Sequence, residues 1–101
     1  MMKPGKPVHP SNGSGSAPIT GVEISFELGP NRTNQATGSV LVTNCEAAAG
    51  NMLEVSFAGG KDKTYFAIPP QTTIEFPVSV YRCVLRGSGG AAAYSIMGVM
   101  I

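Results

Sequence analysis

The sequence predicts an all-β fold: a small antiparallel β-sandwich or jelly-roll-like domain of about seven strands, with an extended N-terminal arm. Three observations predict it. Apolar and polar residues alternate in short runs, the period of a half-buried strand. Clusters of Gly, Pro and Asn break those runs every 8–15 residues or so. The one run with helix propensity, Glu46-Ala47-Ala48-Ala49, is stopped within a turn by Gly50-Asn51.

Residues 1–18 read as the arm and residues 19–101 as the folded domain. Prolines at 4, 7, 10 and 18 remove backbone donors and forbid helix, and the interspersed Gly and Ser add chain entropy. Composition therefore predicts a flexible or polyproline-like leader, with no run able to fold by itself.

The strands follow in order. Val22, Ile24, Phe26 and Leu28 alternate with Glu23, Ser25 and Glu27, and Gly29-Pro30-Asn31 ends the run. Arg32–Thr37 is polar and reads as a loop; the Asn31-Arg32-Thr33 triplet within this region needs no meaning beyond that. Ser39–Thr43 is a short buried strand closed by Asn44. Leu53, Val55 and Phe57 form the next apolar face. Gly59-Gly60-Lys61-Asp62 predicts a hairpin to Thr64–Ile68. Pro69-Pro70 breaks the ladder. Ile74, Phe76 and Val78 make another strand, and Pro77 marks it as an edge or a bulge. Tyr81, Cys83 and Leu85 alternate with Arg82 and Arg86. Gly87-Ser88-Gly89-Gly90 reads as the last hairpin loop, and Ala92–Ile101 is a final strand without charge.

Composition narrows the function. Charged residues are 13% of the chain, against about 25% in an average soluble domain, and the formal net charge is +1. Nothing in that balance calls for nucleic acid or an anionic membrane. No apolar run is long enough to span a bilayer, and Pro, Gly and Ser follow Lys3 and Lys6 where a secretory signal would be apolar. A domain this small gains stability from disulfides, a metal or neighbouring subunits. A neutral, partly apolar surface suits the last of these.

The residues do not assemble a catalytic or cofactor site. The sole histidine, His9, lies in the arm, away from any nucleophile or orienting group. Cys45 and Cys83 fall short of a zinc set; a disulfide between them is open, and free thiols are the favoured reading. Tyr81-Arg82-Cys83 echoes an immunoglobulin feature, but the chain has no Trp to complete it. Glu23, Glu27, Glu54 and Glu75 occupy solvated strand faces, and Asp62 suits a hairpin tip. The glycine-rich turns do not precede helices, so they lack the setting of a phosphate cradle. The expectation is a non-enzymatic protein without cofactor or metal.

From Leu41 onward the run LVTNCEAAAGNMLEVSFAGGKDKTYFAIPPQTTIEFPVSVYRCVLRGSGGAAAYSIMGVMI resembles small all-β virion proteins of tailed bacteriophages. The matching pieces are Leu53–Gly60, Tyr65–Pro70, Val78–Gly90 and Ala93–Ile101. Ala58 stands where that pattern commonly has Asp. The resemblance implies a structural protein located in the virion, foremost a capsid decoration (cement) protein. Its implied partners are the phage major capsid protein and copies of itself, with a homotrimer favoured. A tail or neck accessory protein is the neighbouring alternative, and a carbohydrate- or receptor-binding module is an alternative of another class. The residues expected at partner contacts are Lys3, Pro4, Lys6, Pro7, Val8 and His9 in the arm, Arg82 and Arg86 on one strand face, and Met100 and Ile101 at the apolar end.

Overall fold

A computed structural model describes residues 7–10, 13–28, 33–34, 36–57 and 64–99. These residues are all-β and carry no helix. The strands are β1 (Pro7–Pro10), β2 (Ser14–Ala17), β3 (Val22–Leu28), β4 (Thr33–Asn34), β5 (Ser39–Asn44), β6 (Met52–Ser56), β7 (Phe66–Ile68), β8 (Thr72–Phe76), β9 (Arg82–Ser88) and β10 (Ala92–Val99). Every described pairing is antiparallel.

Two sheets pack face to face. The first runs β2-β10-β5-β8, and the second runs β7-β6-β9-β3, with β4 beside β3. β1 joins them: Pro7 and Val8 pair with Val99 and Gly98 of β10, while His9 and Pro10 pair with Glu27 and Phe26 of β3. Between the sheets lies a core that includes Ile24, Phe26, Val40, Val42, Leu53, Val55, Ile68, Leu85 and Ile96. The alternation in the sequence supplies this core directly, since each strand turns every second side chain inward.

The seven expected strands are all present. Pro77 behaves as its chemistry requires: β8 ends at Phe76 and lies at the edge of its sheet. Gly50 N–H bonds to the Ala47 carbonyl, closing a single turn where the alanine run begins. The Gly59–Asp62 hairpin tip lies outside the described residues.

Beyond Thr33–Asn34, which pairs with Leu28 and Glu27 as β4 where the sequence reads as a loop, two expectations change. Gly87-Ser88-Gly89-Gly90 is not a hairpin loop: Gly87 and Ser88 end β9, paired with Leu53 and Met52, and residues 89–91 lead to β10 in the other sheet, with which β9 does not pair. The loop is an arch across the sandwich. Gly89 has a φ of +81°, and the Asn51 side chain donates to the Ala91 carbonyl at 3.0 Å, which holds the arch from the far side. A glycine-rich turn announces a reversal, but it does not say whether the chain returns to the same sheet.

The second change concerns the leader. Residues 1–18 contain β1 and β2, so the folded domain does not begin at residue 19. Ala17 to Ser14 pair with Ala92 to Ser95, and Ile96 N–H bonds to the Gly13 carbonyl. Proline holds φ in the extended range but lacks the N–H donor, so a proline-containing segment lies on an open sheet edge only where its prolines need not donate. Here the open edge belongs to β10, a strand with no charged side chain. The segment then turns through Pro18–Gly21, where Gly21 N–H bonds to the Pro18 carbonyl, and becomes β3.

Candidate functional site

Among the described residues, no three His, Cys, Asp or Glu side chains lie close enough to hold a metal ion, and every buried polar side-chain atom has a hydrogen-bond partner. Cys45 and Cys83 are free thiols, the first exposed and the second buried. Burial, aided by the Glu23 charge, pushes the Cys83 thiol up to about 12, so it stays protonated and unreactive at neutral pH.

The distinguishing feature is on the outside, where the two sheets are unlike. The outer face of the second sheet carries charge: Glu23 on β3, Arg82 and Arg86 on β9, and Glu54 on β6. Arg86 and Glu54 are cross-strand partners, and Arg86 Nε donates to Glu54 Oε1 at 2.6 Å. The Arg86 guanidinium also lies 3.6 Å from the centre of the Tyr65 ring. The hydrogen bond that Arg86 donates to Glu54 raises the Arg86 pKa further, so this side chain is permanently charged and already engaged.

The outer face of the first sheet is nearly uncharged. Its outward residues include Ser14 and Ser16 on β2, Ser95 and Met97 on β10, Leu41 and Thr43 on β5, and Thr73 and Glu75 on β8. Among the described residues of that face, Glu75 is the one charge. Met97 lies opposite Leu41 and is 45% exposed. The Thr43 and Thr73 hydroxyls bond across the ladder at 2.7 Å. The result is a surface of hydroxyls and apolar groups in which, away from Glu75 at the β8 edge, no ion must be desolvated.

The residues expected at partner contacts are dispersed. Lys3, Pro4, Lys6, Met100 and Ile101 lie outside the described residues. Pro7, Val8 and His9 sit in β1, between β10 and β3 of the chain's own sheets. Arg82 is exposed, while Arg86 is half-buried against Glu54 and Tyr65. Sequence reasoning missed Met97 and Leu41. Their signal was available: Tyr94 and Ile96 face inward, so Met97 must face out on a strand without charge. It also placed Tyr81 in line with Cys83, but Tyr81 precedes β9 and is 56% exposed.

A seam of aromatics marks the end of the sandwich away from the turn that joins β7 to β8, where β7 begins and β8 ends. The Phe76 ring lies 5.0 Å from Phe57 and 5.7 Å from Phe66, centre to centre. Phe66 remains 49% exposed there. Comparison with protein-family models, with curated proteins and with solved structures gives no match.

Proposed function

We propose that this chain is a structural virion protein of a tailed bacteriophage, acting as a capsid decoration protein on the major capsid protein and alongside copies of itself. The carrying observation is the contrast between the two outer sheet faces, one charged and one neutral. A neutral sheet face suits permanent contact with another protein surface, and many copies on a lattice convert weak single contacts into firm attachment. The resemblance from Leu41 onward supports the virion setting. Attachment through the whole leader is not part of this reading, since β1 and β2 are used within the chain's own sheets. The attaching surface is instead the face built around Met97 and Leu41.

The test is sedimentation of the purified protein with separated head and tail fractions of the phage. Pelleting with empty heads at a fixed copy number supports decoration. Pelleting with tails alone moves the protein to the accessory role, and pelleting with neither removes the proposal.

One observation favours a second reading. Tyr81 and Phe66 expose aromatic surface, as a carbohydrate-binding module requires. Glycan-array binding by the isolated protein, lost in Tyr81→Ala or Phe66→Ala, would establish that reading.

A further inference from the structure

β8 is paired with β5 on one side only, and among the described residues no strand pairs with its other edge. Such an edge is a template for another strand unless it is short, charged or covered. β7, at the opposite end of the strand order, is protected in this way. It is three residues long, is followed by Pro69, and lies beside the Tyr65–Arg86–Glu54 cluster. β8 is five residues long, and Glu75 is its one charge. Pro70 and Pro77 bracket it without entering it, and the Phe76 carbonyl is occupied by Val78 N–H. Ile74 and Phe76 turn toward the core from this edge but are only half-buried, and Phe66 leaves apolar surface open beside Phe76.

We propose that the free edge of β8 pairs with β8 of a second copy of this chain, antiparallel, about a two-fold axis at Ile74. The strand's own sequence is compatible with itself in that register. Ile74 meets Ile74, Thr72 meets Phe76, and Thr73 meets Glu75 on both sides of the axis. No like charges face each other, which is what a self-complementary edge needs. The pairing makes the first sheets of two molecules continuous and covers Ile74 and Phe76. This contact does not depend on the virion reading, and it differs from a three-fold association, which uses two unlike surfaces on each copy.

The experiment is sedimentation equilibrium of the full chain and charge variants of β8. The wild type is expected as an even number of copies. Thr73→Glu places two carboxylates opposite each other twice, and the mass should halve while the far-UV circular dichroism stays that of the folded chain; the thermal midpoint falls modestly, because the Thr43–Thr73 hydroxyl bond and the second copy are both lost. The Thr73→Glu/Glu75→Lys double variant restores opposite charges and should restore the mass. Thr73→Lys, which faces Glu75 of the second copy, should lower the dissociation constant several-fold, and it keeps the test informative if Thr73→Glu does not fold. A wild type of one or three copies overturns the proposal, whether or not an added extended peptide binds the edge. So does an even-numbered mass that Thr73→Glu and Thr73→Lys leave unchanged.

Discussion

Asn44 Nδ2 donates to the Ile68 carbonyl at 2.8 Å, tying the end of β5 in one sheet to the end of β7 in the other. The same nitrogen donates to the Asn51 carbonyl at 3.0 Å, and Asn44 Oδ1 accepts from Glu46 N–H at 3.0 Å. The Asn44 carbonyl accepts from Gln71 N–H. One fully buried amide thus holds three chain segments at the place where the chain twice crosses between sheets.

Replacing Asn44 by Ala leaves the Ile68 and Asn51 carbonyls and the Glu46 N–H without this partner. The expected loss is about 3 kcal/mol of unfolding free energy, read by urea denaturation. Asn44→Asp should cost more at neutral pH, because a carboxylate would face two carbonyl oxygens. Lowering the pH through the range where that buried acid takes up its proton should recover part of the loss.

Gly98 sits on the inner side of β10 over the Phe26 ring. A Cβ there would lie 2.8 Å from Thr37 Cγ2 and 2.9 Å from Phe26 Cδ1. Gly98→Ala should therefore destabilise by about 1–3 kcal/mol through overpacking. Combining it with Phe26→Leu should cost less than the two single changes added together, which a double-mutant cycle would reveal.

The two thiols should separate cleanly by reactivity. Exposed Cys45 should label rapidly with a maleimide at pH 7, while Cys83 should label only on unfolding. Stability should also fall in alkali. Cys83 is held at about 12 in the fold against an ordinary 9.0, so between those pH values the unfolded chain releases a proton that the folded chain keeps. Unfolding free energy should drop by up to about 1.4 kcal/mol per pH unit across that window. Burial raises the Tyr94 pKa too, which adds to the fall in the same direction.

Removal of residues 1–17 should damage the domain itself. It would strip β2 and β1 from β10, exposing an uncharged strand edge and uncovering Tyr94, which packs against Gly15. The expected outcome is a lower thermal midpoint and concentration-dependent aggregation. A dispensable arm would leave both unchanged.

Much of this fold is legible in the sequence, for a physical reason. Val22–Leu28 and Ile74–Phe76 alternate because each strand must hide one face, and that requirement is written residue by residue. What is not legible is which strands are neighbours. Gly87–Gly90 has the same composition whether it reverses the chain within a sheet or arches between sheets. The leader escapes for a related reason. Prolines at 7, 10 and 18 argue against helix and for extension, but pairing with β10 depends on a strand more than seventy residues away. The neutral outer face was half visible: the final strand has no charge, yet its joining with Leu41 and the hydroxyls of β5 and β8 needs the register.

The account rests on a neutral sheet face acting as a permanent protein contact. The most direct measurement is the affinity of Met97→Glu and Arg82→Glu variants for empty phage heads, read by sedimentation beside the wild type. Met97→Glu, which puts a charge at the centre of the neutral face, should weaken binding at least about tenfold, or roughly 1.4 kcal/mol, while Arg82→Glu leaves it near wild type. Equal binding by Met97→Glu, or no binding by the wild type at any ratio, would contradict it.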